Sequence, residues 1–358
     1  MIETITLHNY KGHTDTTVAC DRLTVLVGEN ASGKTSVLQA VQWISDGIAP
    51  VLPPELLRRD ANELEVALRH ESAAGPMRIT ARYGRQEGQE TLILQEGAVR
   101  AEDGSIGTRP LAMSLVLRPE ELASPSRMTS VRVELGSSGR GLASVLAYLK
   151  LSETDRFQRV VERLRKVVPI VKDIGFSKVE VTEKVSRQLR VEDRVLELPE
   201  TTTSIQDVLL FDFVDAAKVP ASQVSEGTLL ALGILTALET LDRGARIVRA
   251  GSVSVVRSPV DVILIDDIDR ALHPRAQRAL VSMLRAILDA TPDLQILATS
   301  HSPYLVDALR PEEVVILGRN AAGTIVAKRL DAFPDERLRK MLSAGELWMS
   351  EGDEWVTR

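Results

Sequence analysis

Three acids, Asp266, Asp267 and Asp269, fall within four positions directly behind the apolar run Ile263-Leu264-Ile265. Carboxylates repel one another and resist desolvation, so a cation is expected among them. A second stretch supplies the reason for one. Gly28-Glu29-Asn30-Ala31-Ser32-Gly33-Lys34-Thr35 reads G-x-x-x-x-G-K-[ST], between an apolar run at 23–27 and a helical pattern at Val37, Leu38, Val41 and Ile44. In that setting the glycines let backbone N–H groups curl around phosphate oxygens, and the new helix turns its positive end toward them. Lys34 is placed to reach the β- and γ-phosphates of a nucleotide, and the Thr35 hydroxyl to ligate Mg²⁺. The nucleotide-binding set therefore runs from Gly28 through Ser36.

The acids gain their cation from this cradle. Asp266, at the end of its strand, is where a carboxylate would hold Mg²⁺ directly or through water, and Asp267 could polarise an attacking water. Two more polar groups have fitting contexts. Ser225 in VSEGTLLALGILTAL opens an apolar helix, as a plain N-cap or as a second anion site. His301 in ATSHSP follows an apolar strand, as a surface-loop histidine or as a donor to phosphate or water.

The elements that position these groups are those of an α/β protein of 358 residues, 44% hydrophobic and 26% charged, the mix of a soluble globular chain. The net charge of −6 leaves no global basic field, so any nucleic-acid contact must be a local patch. Cys20 alone cannot form an internal disulfide, which fits a reducing cytoplasm. The start, MIETITLHNYKGH, lacks a secretory pattern, and no apolar run approaches membrane length. A cytoplasmic protein without membrane association is expected.

Taken in order, the cradle, S-E-G, ILIDDIDRALHP and ATSHSP resemble the ABC-type ATPase heads of the RecF, SMC and OLD group. ITLHNYKGH is similar to the entry strand of those proteins and adds Lys11 to the nucleotide-binding candidates. The resemblance implies a P-loop, two-lobed ABC-ATPase head with an antiparallel β layer, binding ATP and Mg²⁺. It also implies a homodimer that sandwiches ATP, with Ser225 and Gly227 of one copy facing the cradle of the other. By the same likeness Thr35 and Asp266 hold the metal, Asp267 and His301 are catalytic, and His273 lies near the dimer-facing loop. Aspartate stands at 267 where the family usually has glutamate. No Q-loop glutamine is found in LVLRPEELASPS.

The expected organisation is one ATPase domain: a first lobe at 1–135, a helical and strand insertion at 136–220, and a second lobe at 221–358. The insertion is too short for a coiled coil. Within it Phe157, Val160, Val161, Leu164 and Val168 mark one amphipathic helix ended by Pro169. Arg156, Arg159, Arg163 and Lys166 form a basic stripe on that helix, either a solvated face or a phosphate-backbone contact. Trp348 and Trp355, among acids near the C-terminus, either serve a partner surface or fold back on their own lobe. With about fifty residues following His301, the metal-binding nuclease domain of OLD proteins is not expected in this sequence. The function implied is a nucleotide-gated ATPase in DNA repair or anti-phage defence, controlling DNA engagement or a separately encoded nuclease or effector. A scaffold with negligible hydrolysis and a transporter ATPase subunit are the alternatives.

Overall fold

The computed structural model describes the chain apart from residues 73–74, 86–90, 102–109, 128–134, 192–193, 242–245, 251–252 and 258–259. Two compact units emerge, one made of Met1–Val116 with Asp242–Arg358, the other of Leu117–Leu241.

The strands of the first unit up to residue 115 are β1 (Ile2–Tyr10), β2 (His13–Ala19), β3 (Leu23–Val27), β4 (Val51–Leu52), β5 (Glu63–Ser72), β6 (Gly75–Arg85), β7 (Leu92–Ala101) and β8 (Ala112–Leu115). The second unit contributes β9 (Val171–Val191), β10 (Arg194–Phe213) and β11 (Val219–Pro220). The chain then returns to the first unit through β12 (Arg246–Ala250), β13 (Val253–Arg257), β14 (Val262–Ile265), β15 (Gln295–Thr299), β16 (Val314–Arg319) and β17 (Ile325–Arg329).

One six-stranded sheet of the first unit is antiparallel, in the order β2-β1-β5-β6-β7-β4. Its strands alternate: Ile5, Leu7, Val66, Ile79 and Tyr83 turn inward, and Thr6, Arg69, Arg78 and Arg82 turn outward. That is the pattern of a sheet with one face on the core. The other six-stranded sheet runs β17-β16-β3-β15-β14-β8, parallel except for the edge strand β17. β3, β14 and β15 are buried along their whole length, which is why their sequences are unbroken apolar runs. Helix α1 (Lys34–Asp46) follows β3 and shares one core with both sheets through Val37, Val41 and Ile44. Gln295, buried within β15, ties the sheets together: its carbonyl accepts from the Ile2 N–H at 2.8 Å, and its amide donates to Ile2 O at 2.8 Å and Asp21 O at 2.9 Å.

The second unit holds α2 (Pro119–Ala123), α3 (Leu142–Ser152), α4 (Thr154–Val167) and α5 (Glu226–Thr240) around the base of the β9–β10 hairpin. Helix α4 is the amphipathic helix read from the sequence, except that Val167 rather than Val168 completes the buried face. α5 is buried from Gly227 onward and largely apolar, with Thr228, Thr236, Glu239 and Thr240 as its buried polar groups. The hairpin of 21- and 20-residue strands was not anticipated. The sequence divides the chain at 136 and 221, whereas the two units meet at 117 and 242, so α5 belongs with α4.

Back in the first unit, α6 (Pro274–Asp289) is capped by His273, whose Nδ1 accepts from the Arg275 N–H at 3.3 Å. The C-terminal segment folds onto its own unit. Trp348 is buried and Trp355 meets Phe333 edge-on, with ring centroids 5.2 Å apart. Among the described residues no helix is long and apolar enough to cross a membrane.

Candidate functional site

β3 lies between β16 and β15, so the loop after it opens at the carboxyl ends of parallel strands, the usual ligand position in such sheets. Gly28 sits at φ 141°, and a Cβ there would lie 2.1 Å from Leu317 O. Gly33 sits at φ 91°, where a Cβ would lie 2.5 Å from His13 Nε2. Both positions need glycine for shape as well as for dihedral. The loop wraps around Lys34, which is buried and donates to Gly28 O at 3.0 Å and Glu29 O at 2.8 Å. Arg319 Nη2 donates to Ala31 O at 3.2 Å from outside the loop.

The two metal candidates meet. Thr35 Oγ1 donates to Asp266 Oδ1 and Oδ2 at 3.0 and 3.2 Å. Mg²⁺ keeps several waters and takes one or two protein oxygens plus phosphate, rather than an all-protein cage. The donor pair fits that habit: a hydroxyl and a carboxylate lie side by side at the mouth of a phosphate loop. Among the described residues no group of three or more His, Cys, Asp or Glu side chains forms a metal cage. Thr35 and Asp266 would hold a Mg²⁺ there, and it would supply positive charge to offset that of the phosphates.

Thr299, at the end of β15, orders the acids. Its hydroxyl donates to Asp266 Oδ1 at 2.7 Å and accepts from the Asp267 N–H at 2.8 Å. Asp267 has a left-handed backbone, φ 51°, a conformation that Asp and Asn enter more readily than most residues. Its carboxyl is half exposed, and Oδ1 lies 3.9 Å from His301 Nε2. That gap exceeds a direct hydrogen bond and suits a water between them. Burial first, then Asp266 and Asp269, push the Asp267 carboxyl above its ordinary range, against the pull of His301 and Lys34. A carboxylate tuned upward beside a facing imidazole can take a proton from water. The His301 loop is braced at its backbone: the His301 N–H donates to Asp269 Oδ1 at 3.3 Å, and Ser302 Oγ donates to Gln277 Oε1 at 2.7 Å.

The cradle, both acids and His301 therefore converge in the first unit. Lys11, at φ 51°, directs its ammonium to Gln39 on α1, and partial burial lowers its pKa. Ser225 and Gly227 open α5 in the second unit. Ser225 is exposed, and its Oγ caps the helix by accepting from the Thr228 N–H at 3.4 Å. The basic stripe of α4 is largely consumed: Arg156, Arg159 and Arg163 all converge on the buried carboxylate of Glu239.

Three residues of the site were missed in the sequence: Thr299, Arg319 and His13. Thr299 lies within ATSHSP and carried its own signal as the last residue of a buried strand. His13 lies in YKGH, two residues past Lys11. It is fully buried, with Nε2 3.2 Å from Gly33 O and Nδ1 3.1 Å from Thr16 Oγ1, and burial lowers its pKa to about 4. Arg319 had no signal; only the fold brings it to Ala31.

The family described as "AAA domain, putative AbiEii toxin, Type IV TA system" matches residues 126–307, just over half of the chain, and an AAA ATPase domain family matches residues 1–87. The chain belongs to the AAA-domain ATPases. This ATPase chain is 36% identical over 69 residues to a Septu protein PtuA of Bacillus thuringiensis, 19% of this chain and 17% of that one. It is 23% identical over 312 residues to a Septu protein PtuA of Bacillus mycoides (strain KBAB4), 83% of this chain and 36% of that one. The ATPase chain thus spans about a third of the second relative's length and less of the first. An SMC head bound to the C-terminal winged-helix domain of ScpA shares its fold at TM-score 0.53 and 14% identity, covering 92% of this chain and 98% of that one. The Pyrococcus furiosus SMC head with an extended coiled coil does so at TM-score 0.53 and 13% identity, covering 92% and 96%. The α/β P-loop head expected from the motifs is the fold of this AAA-domain ATPase.

Proposed function

We propose that this ATPase binds ATP with Mg²⁺, closes as a head-to-head dimer and hydrolyses slowly, acting in anti-phage defence to license a separately encoded nuclease or other effector. The observation that carries the reading is the convergence of Lys34, Thr35, Asp266, Asp267 and His301 on one loop mouth. Lys34 and the loop N–H groups bind and orient the phosphates, and Thr35 with Asp266 holds the metal. Asp267 accepts a proton from the attacking water, and His301 fixes that water from the far side. The exposed Ser225 at the start of α5 is available to a second copy. The relatives called Septu protein PtuA support the defence setting.

The test uses light scattering and phosphate release with ATP and Mg²⁺. Wild type should show an ATP-dependent doubling of mass and slow release. Lys34→Ala should show neither. Ser225→Arg should bind nucleotide as a monomer, because a bulky cation would occupy the composite interface. Dimerisation without any phosphate release would favour the scaffold alternative.

A further inference from the structure

The basic stripe visible in the sequence is tied to Glu239, but the fold assembles another where the sequence shows none. On the outer face of the antiparallel sheet Arg69 stands opposite Arg78, and Arg78 opposite Arg100. Three guanidiniums thus line up across β5, β6 and β7. Directly opposed like charges on neighbouring strands, with Cβ atoms about 5 Å apart, are destabilising unless something neutralises them. Arg69 takes Glu3 at 2.9 Å. The nearby acids Glu65 and Glu96 go to Arg82, at 2.7 and 3.7 Å. Arg78 and Arg100 are exposed and have no carboxylate within ion-pair distance among the described residues.

Beside this row the register places Thr17, Thr6, Ala67, Thr80 and Ala98 side by side across five strands. These small side chains form a floor. The groove over it includes a cavity of about 520 Å³ lined by Thr4, Thr6, Arg69, Arg78 and Arg100. A second of about 240 Å³ shares Arg78 and Arg100 and reaches Arg82.

We infer that this groove binds the phosphate backbone of a nucleic-acid duplex, without reading sequence. The arginine row spans two inter-strand steps, about 10 Å, or roughly three phosphates of one strand along the duplex axis. The floor of threonine and alanine has no aromatic platform for unstacked bases, which argues against a single strand. Ala67, Leu68 and Met77 also line the larger cavity but are themselves buried, so the side chains it presents to solvent are threonine and arginine rather than an apolar seat for the anchors of a peptide. In a chain of net charge −6, a compact basic row is the kind of local patch that nucleic-acid contact requires. The inference does not depend on hydrolysis.

The experiment measures binding of a short DNA duplex to nucleotide-free full-length protein over a range of salt concentrations. Each lost phosphate contact flattens the log–log salt dependence by about 0.9. Arg78→Gln/Arg100→Gln should therefore reduce the slope by about 2 and weaken binding of unrelated sequences equally. Arg78→Glu/Arg100→Glu should abolish binding, with circular dichroism verifying the fold of both variants. Lys34→Ala should bind duplex as wild type does, so failure of the nucleotide reading and failure of this one remain distinguishable. An unchanged salt slope in the folded glutamine pair overturns the proposal. Tighter binding of poly-glutamate than of duplex also overturns it, in favour of an acidic peptide.

Discussion

Thr299 donates its hydroxyl to Asp266 at 2.7 Å, and the same oxygen receives the Asp267 N–H at 2.8 Å. One buried hydroxyl thus orients the metal-side acid and holds the backbone from which the second acid projects. Thr299→Val keeps the volume and removes both bonds, leaving the Asp267 N–H without its partner. Such outer-shell losses typically cost tenfold to a hundredfold in activity, with an unsatisfied donor costing about 1–3 kcal/mol. Phosphate release should fall by that factor and the urea midpoint should drop. Wild-type turnover in the valine variant would show that the acids are ordered without Thr299.

The left-handed backbone at Asp267 gives a physical reason for aspartate where glutamate is usual in the family it resembles. Asp and Asn tolerate this conformation, and longer side chains lose about 1–2 kcal/mol in it. Asp267→Asn should keep the loop and nucleotide affinity while nearly eliminating phosphate release. Asp267→Glu should lower stability without raising turnover. Burial holds a proton on Asp267 to higher pH than in the unfolded chain, so this carboxyl favours folding at low pH and loses that contribution as pH rises. The catalytic carboxylate appears in the opposite sense. Release rate should therefore climb with pH through a limb lying above the ordinary aspartate value of 3.8. A limb that persists in Asp267→Asn would assign it to another group.

Much of this site was legible because its chemistry is local. The cradle, the strand-end acids and His301 each follow a buried apolar strand, and parallel strands bring such ends to one edge of a sheet. What escaped depends on pairing between distant segments. Arg319 reaches Ala31 only because β16 lies beside β3. The row Arg69, Arg78 and Arg100 exists only through the register of three strands. Strand character was legible in the insertion, where K-V-E-V at 178–181 alternates as a strand should, but the β9–β10 hairpin itself depends on a pairing register that no local pattern carries. Helix α4 was read nearly to its ends, yet its arginines could not be assigned until α5 presented Glu239.

The C-terminal tryptophans resolve in favour of the chain's own core. Trp348 is buried, and Lys328 lies over the Trp355 ring, 5.3 Å from its centroid. Trp348→Ala should destabilise the protein by about 3–5 kcal/mol, the range for an aromatic core truncation. Deletion of 346–358 should lower the melting temperature and yield aggregates. A truncated protein with wild-type stability would restore the tail to a partner surface.

His13 offers the sharpest pH test. Nε2 stands against Gly33 O, which can only accept, and Nδ1 against Thr16 Oγ1, whose own proton goes to Ile325 O at 2.7 Å, so the neutral ring can donate to only one of the two. Burial holds the pKa at about 4 against 6.5 for a free histidine. Protonation is therefore harder in the folded chain than in the unfolded one. Stability is full above pH 6.5, declines as pH falls below it, and the loss is complete once the folded pKa is passed. A depression of this size corresponds to a loss on the order of 3 kcal/mol across that window. His70, also lowered to about 4, titrates in the same range, so the measurement must be a difference. Urea midpoints of wild type and His13→Gln at pH 7.5 and pH 4.5 supply it. The variant should start lower at pH 7.5, because the glutamine amide must replace the ring against Gly33, and should lose less on acidification. Its nucleotide affinity should fall as well, since the ring braces the turn that starts α1. Equal acid sensitivity in the two proteins would mean that His13 does not carry the titration.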